Sequence, residues 1–136
     1  MNYLLDTNVC IALINGTSDP ARQRYLRVAR PSDLPQTTSV VTHELWYGVS
    51  KSNRIVQNAS RLSAFLANAV SVLEYSEQDS RAAGEIRAEL ERTGQRIGEY
   101  DALIAGQAFS RNLILVTANS REFGRVKGLV VEDWTV

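Results

Sequence analysis

The sequence predicts an α/β fold with a central, mostly parallel β-sheet, on three observations. Helix-like and strand-like patterns alternate along the chain, as they do where helices join parallel strands. No internal repeat or low-complexity tract interrupts this alternation. The chain has 136 residues, of which 44% are hydrophobic, and this suffices for one core without disulfides. We therefore expect a single domain over residues 1–136.

The first half of the chain begins with an apolar strand and continues through three helices. Gly16 is a stop signal for the first helix, and Pro20 suits the first turn of the second. Ser39 is a good cap for the third helix. The predicted elements are a strand over residues 3–5, helices over 8–14 and about 20–29, a β-prone stretch over 36–40, and a helix after Ser39.

The second half continues the alternation with longer helices. Ser76 is a good N-cap for a helix that places Ala83, Ile86 and Leu90 on one face, and Gly94 ends that helix. The remaining predicted elements are a helix over residues 60–69, a strand over 70–75, a helix over about 100–110, a strand over 113–117 and a short strand at 130–131.

Charge and cysteine content narrow the class of protein only slightly. Fifteen basic and fifteen acidic residues give a formal net charge of zero, which favours no particular charged partner. Cys10 is the single cysteine, so no internal disulfide forms, and its apolar helix predicts a place in the core. No apolar run approaches the ~20 residues that span a bilayer, and no secretory signal is recognisable. We expect a cytoplasmic protein without a membrane partner.

Three acidic residues stand where an active site is expected. Asp6 follows the first strand, Glu44 lies one turn into a helix, and Asp101 sits in the first turn of another among apolar residues. Active sites of open parallel sheets gather at the carboxyl ends of the strands. Carboxylates that meet in one pocket repel one another unless a cation keeps them ionised, and Mg²⁺ prefers oxygen ligands. The three acids are therefore candidate ligands of an ion that activates water at phosphorus.

Each of these residues also has a purely structural interpretation. Asp6 can cap the following helix, Asp101 can complement the dipole of its own helix, and Glu44 can be solvated. Asn119 can cap the turn after the strand over residues 113–117. The spacing of these residues fixes no motif, so the residues alone leave both interpretations open.

Four groups of segments contain the acids and their neighbours. They are Leu4-Leu5-Asp6-Thr7-Asn8; Ser39-Val40-Val41-Thr42-His43-Glu44-Leu45 with Tyr47-Gly48-Val49; Ile97-Gly98 with Tyr100-Asp101 and Leu103-Ile104-Ala105; and Leu115-Val116-Thr117 with Asn119, Arg121-Glu122-Phe123 and Gly128-Leu129. Together they resemble the PIN-domain nucleases in order and spacing, and most closely the VapC toxins of bacterial toxin–antitoxin pairs. The stretch from residues 86–90 to 132–134 is similar to the VapC subgroup that cleaves initiator tRNA.

The resemblance implies a PIN-like sandwich of helices around the sheet and an endonuclease that hydrolyses RNA with Mg²⁺ or Mn²⁺. It also implies growth arrest through blocked translation, a VapB-type antitoxin as partner, and a homodimer. Carried over by motif, Asp6 and Asp101 are the expected direct metal ligands and Glu44 the less direct one. The supporting residues are Thr7, Asn8, Thr117, Asn119 and Glu122.

Two departures from the family pattern bear on the metal site. Asn119 stands where many PIN nucleases have a fourth aspartate, which weakens the case for a second metal, and Glu122 can compensate nearby. Glu99 stands where relatives often have a proline, two residues from Asp101, and we expect it to face solvent or substrate.

Residues outside the acidic set carry weaker signals. We expect Arg24, Arg27 and Arg30 to share one face of the second helix and to contact an RNA backbone, with a solvated face as the alternative. His43 points about 100° away from Glu44 around its helix, so we expect a partner or packing role rather than that of a general base. The nearby Trp46 and Tyr47 are expected in the core, with a groove for an antitoxin helix as the alternative.

Two other functions remain open at this point. A phosphatase of the aspartyl-phosphate type also places an aspartate after its first strand, but its chemistry wants a second aspartate where this chain has Asn8. A catalytically weak or inactive domain would act only as a binding partner in an antitoxin–DNA repressor complex. Retention of all three acids argues against that alternative.

Overall fold

A computed structural model describes residues 2–136, which form five β-strands and seven α-helices. The strands are β1 (Tyr3–Leu5), β2 (Gln36–Thr38), β3 (Ser71–Leu73), β4 (Ile114–Val116) and β5 (Val131–Glu132). The helices are α1 (Thr7–Asn15), α2 (Asp19–Val28), α3 (Ser39–Lys51), α4 (Ile55–Asn68), α5 (Glu77–Arg92), α6 (Glu99–Ser110) and α7 (Ser120–Phe123). None of the helices in these residues is long and apolar enough to cross a membrane.

The five strands form one sheet in the order β3-β2-β1-β4-β5, and every neighbouring pair is parallel. The chain starts in the middle of the sheet, adds β2 and β3 on one side, and then returns to add β4 and β5 on the other. The direction of winding therefore changes between β1 and β4, which is where open α/β sheets form their ligand crevice. The predicted fold class is confirmed.

The central strands are apolar because helices cover both faces of the sheet. Leu4, Leu5, Leu115 and Val116 are completely buried, and such continuous apolar runs are typical of parallel strands rather than of half-exposed ones. Trp134, beyond β5, is also completely buried, and its ring packs edge-on against Tyr3 at a centroid distance of 5.2 Å.

A buried carboxylate joins α5 to the end of α6. Asp79 accepts hydrogen bonds from Ser76 N at 2.8 Å, Gln107 Nε2 at 2.9 Å, Ser110 Oγ at 2.5 Å and Arg111 at 3.0 Å. Burial alone raises the pKa of Asp79, but the hydrogen bonds from Arg111, Ser110 and Ser76 outweigh burial and hold the pKa below its usual range. The predicted N-cap at Ser76 is confirmed as half of a capping box with Asp79.

Helix boundaries differ from the sequence prediction where local signals are weak. The helix predicted over residues 60–69 begins at Ile55, because Ile55 and Val56 face solvent and give no core-facing periodicity. Ser39 is not the cap of α3, since the side chain of Thr38 accepts the hydrogen bond from Val40 N. The single-turn helix α7 was not predicted, because one turn shows no period.

Two strands are shorter than predicted. The stretches predicted over residues 70–75 and 113–117 are strands of three residues each, over Ser71–Leu73 and Ile114–Val116. Apolar character extends beyond the paired residues, since Val70 is buried in the core without belonging to β3. Hydrophobicity therefore marked the buried segment rather than the hydrogen-bonded ladder.

Candidate acidic active site

Asp6 lies at the junction of β1 and α1, next to the end of β4. Its Oδ1 accepts a hydrogen bond from Val9 N at 3.0 Å, so the capping role is present. Its backbone N–H donates to Val116 O at 3.1 Å, and its carboxylate is also hydrogen-bonded to the Thr117 side chain. Asp6 is buried, with 6% of its surface exposed. The hydrogen bonds hold its carboxylate at the carboxyl ends of the two central strands.

Glu44 reaches the site from α3, and α1 holds it there. The hydroxyl of Thr7 donates to Glu44 Oε1 at 2.8 Å. Thr7 directly follows Asp6, so one short segment of chain both supplies an acid and orients another. This places Thr7 in the orienting position that the sequence resemblance implied.

Glu122 joins the site from α7, and two donors hold its carboxylate. Gly98 N donates to Oε1 at 3.2 Å, and Asn119 Nδ2 donates to Oε2 at 2.7 Å. The backbone N–H of Asn119 in turn donates to Thr117 Oγ1 at 2.9 Å. Asn119 thus uses its amide nitrogen to orient Glu122 beside Asp101.

Electrostatics shows that acids from separate segments share one region. The pKa of Asp101 is raised to about 6, first by burial and then by the nearby carboxylates of Glu122, Asp6 and Glu44. Burial also raises the pKa of Asp6 against the hydrogen bonds from Thr117 and Val9, and Glu44 and Asp133 add to the rise. The fold therefore brings Asp6, Glu44 and Asp101 together.

The donor set suits a hard divalent cation that keeps water ligands. Among residues 2–136, no three side chains of His, Cys, Asp or Glu are close enough together to hold one ion by direct contact. Mg²⁺ in proteins commonly takes only one or two carboxylates directly and fills its other positions with water. The oxygen-only donors and their mutual repulsion fit such an ion.

Asp133 is a member of this acidic region that the sequence analysis missed. It follows β5, the neighbour of β4, and its carboxylate raises the pKa of Asp6. The signal that could have found it is the one that singled out Asp6, namely an acid directly after a predicted strand. The short predicted strand at residues 130–131 gave too weak a pattern to apply it.

The three candidate RNA-contact arginines do not share a free helix face. Arg24 donates to Glu132 Oε1 at 2.8 Å, with its guanidinium 5.7 Å from the Trp134 ring centroid. Arg30 lies beyond α2, which ends at Val28, and it donates to backbone carbonyls. Arg27 remains exposed in the last turn of α2. The prediction of a shared face is wrong because the helix ends early and an acid 108 residues away in sequence captures Arg24.

Side chains near Glu44 on α3 are more exposed than predicted. Tyr47 is 60% exposed and Trp46 38%, so the expectation that they lie in the core is wrong. His43 Nε2 lies 3.3 Å from the hydroxyl of Tyr100 at the rim of the site, which gives it a side-chain partner.

Three further residues complete the placement of the predicted set. Cys10 is completely buried, and burial raises the pKa of its thiol to about 12, as expected of a core cysteine. Asn8 is exposed on α1, next to Thr7. Glu99 is exposed at the start of α6, with its carboxylate 3.5 Å from Arg87.

Comparison with known proteins places the chain among nucleases. The PIN domain family matches residues 3–129. Ribonuclease VapC2 of Rickettsia felis is 40% identical over 134 residues, which cover 98% of each chain. The tRNA(fMet)-specific endonuclease VapC of Shigella flexneri is 40% identical over 139 residues, which cover 99% of each chain.

Solved structures agree with the fold and its extent. DNA-bound VapBC from Salmonella typhimurium contains a chain with a TM-score of 0.90 and 39% identity, covering 98% of both chains. VapBC2 from Rickettsia felis, bound to a promoter DNA fragment, gives a TM-score of 0.89 and 39% identity over 98% of this chain and 99% of that one. The chain therefore belongs to the PIN-domain family, within its VapC ribonuclease branch.

Proposed function

We propose that this protein is a Mg²⁺-dependent endoribonuclease and the toxin of a toxin–antitoxin pair. The observation that carries the proposal is the convergence of Asp6, Glu44 and Asp101 from three separate segments at the carboxyl edge of the sheet. Ribonuclease is the activity named for relatives about 40% identical over nearly the whole chain. An ion-free cluster of this kind repels itself, which supports a divalent cation as its resident partner.

The chain's own residues divide the work at this site. Asp6 and Asp101 hold the cation, while Thr7 keeps Glu44 in place and Asn119 keeps Glu122 in place. A bound Mg²⁺ supplies polarisation of the phosphate and activation of water, and Mn²⁺ can replace it. Because the Asn119 amide nitrogen donates to Glu122, we propose one tightly held ion rather than two.

The test is cleavage of RNA by the purified full-length protein. We expect cleavage with Mg²⁺, none with EDTA, and a loss of at least a hundredfold for Asp6→Asn and Asp101→Asn. Asp19→Asn is the matched control, because Asp19 is an exposed acid in the first turn of α2 and its change should leave the rate intact. Full cleavage in EDTA would reject the metal, and full cleavage by Asp6→Asn would reject the site.

We propose initiator tRNA as the substrate, because the Shigella relative is named a tRNA(fMet)-specific endonuclease and matches nearly the whole chain. Mapping of cleavage ends on total RNA after induced expression tests this. One dominant cut in initiator tRNA supports the proposal. Scattered cuts across messenger and ribosomal RNA would reject it and leave the ribonuclease intact.

The proposed partner is a VapB-type antitoxin, since the two solved structures described above are VapBC complexes. A groove between α1, α3 and α4 suits an apolar segment of such a partner and extends to one of the acids. It is lined by Ile11, Ile14, Leu45, Val49, Leu62 and Glu44, among others. Co-expression with a VapB-type antitoxin should relieve growth arrest.

The homodimer stays a prediction, which light scattering of the purified protein checks.

A further inference from the structure

The sheet register extends one row beyond the strands into the acidic site. Leu5 pairs with Val116, and Val116 pairs with Glu132, so these three residues stand side by side across β1, β4 and β5. The chain then continues with Asp6, Thr117 and Asp133. Residues at equal register in parallel strands point to the same face. Beyond the strands, Asp6 N donates to Val116 O at 3.1 Å and Thr117 N donates to Glu132 O at 2.9 Å, so the alignment continues and Asp133 ends the row that Asp6 begins.

The segment that carries Asp133 is held at several points. Asp133 Oδ1 accepts hydrogen bonds from Thr135 N at 2.8 Å and from Thr135 Oγ1 at 2.5 Å. The preceding Glu132 accepts from Arg24 Nη2 at 2.8 Å and from Trp134 Nε1 at 3.1 Å. Trp134 itself is completely buried, so the turn after β5 is anchored in the core. Both bonds to Asp133 end on Oδ1, which leaves Oδ2 as the oxygen that can serve the site.

We propose that Asp133 is a positioning residue of the acidic centre, acting on the water ligands of its divalent cation rather than on the cation directly. Two strand spacings of about 4.8 Å each separate the backbones of Asp6 and Asp133, which favours a water-mediated link over a shared direct ligand. The inference rests on the proposed metal-dependent ribonuclease. It assigns the turn after β5 to the site, beyond the acids that the family motifs supply.

A purely structural role for Asp133 predicts a different result for the Asp133→Asn variant. In that case its carboxylate serves only to close the turn with Thr135, and an asparagine does the same with its side-chain oxygen. Asp133→Asn removes the charge and keeps this acceptor, so it separates the two roles. Asp133→Glu restores the charge and serves as the conservative rescue.

The experiment measures binding of Mn²⁺ alone to the full-length protein by calorimetry. We expect Asp133→Asn to weaken Mn²⁺ binding about tenfold, which is the lower end of the range for residues that orient the direct ligands of a metal. Asp133→Glu should recover part of the lost affinity. The Mg²⁺ concentration for half-maximal RNA cleavage should rise by a similar factor, with the maximal rate nearly unchanged. Asp19→Asn should match the wild type in both measurements.

The possible results distinguish this inference from the function on which it rests. Wild-type affinity in Asp133→Asn, together with metal-dependent cleavage by the wild type, overturns the role of Asp133 and leaves the ribonuclease standing. A wild-type protein that neither binds Mn²⁺ nor cleaves RNA overturns both. If Asp133→Asn does not fold, Thr135→Val provides the second variant, because it loosens Asp133 without changing charge and should weaken Mn²⁺ binding by a smaller factor.

Discussion

Asp6 caps α1 through Oδ1 and at the same time contributes to the negative field around Asp101. The capping role predicted for this residue is therefore confirmed, and the same side chain lies among the other acids. A capping aspartate is held in one orientation by the helix N-terminus, so its carboxylate has a fixed place next to Thr117. The cap thereby fixes the place of the Asp6 carboxylate within the acidic site.

Burial of Asp101 and repulsion from the neighbouring carboxylates together predict a pH-dependent gain in stability for Asp101→Asn. The pKa of Asp101 is raised from 3.8 to about 6 in the folded protein. Protonated Asp101 therefore contributes to the free energy of unfolding at low pH, and this contribution is lost as the pH rises through this range. In EDTA, Asp101→Asn should therefore be more stable than the wild type by about 1–3 kcal/mol at pH 7.5.

Urea unfolding in EDTA at pH 7.5 and pH 4.5 measures this effect. The difference between Asp101→Asn and the wild type should shrink at pH 4.5, where Asp101 is largely protonated in the folded protein. An equal difference at both pH values would show that the raised pKa of Asp101 does not explain the gain in stability. Asp19→Asn again supplies the control for removing an exposed charge.

Asp79 gives the opposite sign of pH dependence. Its pKa is held below the usual range by Arg111, Ser110 and Ser76, so its contribution is present above about pH 4 and is lost as the pH falls toward the lowered pKa. Asp79→Asn should cost about 1–3 kcal/mol at pH 7, because charge-assisted hydrogen bonds to Arg111 are lost. In urea unfolding, the loss of stability caused by Asp79→Asn should be smaller at pH 3 than at pH 7. An equal loss at both pH values would contradict the lowered pKa of Asp79.

The packing of α5 on α6 depends on a glycine at the contact. A Cβ added to Gly106 would lie 2.5 Å from the Cα and Cβ of Ala83 and 2.6 Å from its backbone nitrogen, all far inside van der Waals contact. The helices approach this closely only because Gly106 has no side chain. The pair in turn sets the position of α6, whose first turn carries Asp101.

Gly106→Ala should therefore destabilise the protein by about 1–3 kcal/mol, because overpacking outweighs the higher helix propensity of alanine. Gly84→Ala is the matched control on α5, where a Cβ meets nothing within 4 Å, and it should stabilise by up to about 1 kcal/mol. Thermal unfolding of both variants compares them. A neutral Gly106→Ala would mean that α5 and α6 separate at little cost.

Across the whole molecule, the cation should contribute to the stability of the fold. A ligand that binds only the folded state stabilises it by about 1.4 kcal/mol at a tenfold excess over its dissociation constant. For a chain of this length we expect the melting temperature to rise by about 2–8 °C on adding Mg²⁺. Asp6→Asn should lose most of this rise while keeping a folded state, and an identical rise in that variant would argue against the acidic site as the place of binding.

Much of the fold was visible in the sequence because its signals are local. The alternation of patterns predicted the parallel sheet, Gly16 ended α1 with a left-handed backbone, and Ser76 capped α5. Three acids were predicted from their places at strand ends and in apolar surroundings. Helix α4, by contrast, starts with exposed Ile55 and Val56, so its beginning carried no pattern to detect.

The sequence by itself determined the fold class, the family and the acids of the family motifs, because short segments carry all three. Only the tertiary structure decided which side chains meet across long separations. Arg24 pairs with Glu132 instead of remaining free for RNA, Thr7 donates to Glu44, and Asp133 lies near Asp6 at the carboxyl ends of the strands. Strand order and register make these contacts, and neither is written in the local pattern, because pairing across the sheet depends on how the whole chain winds.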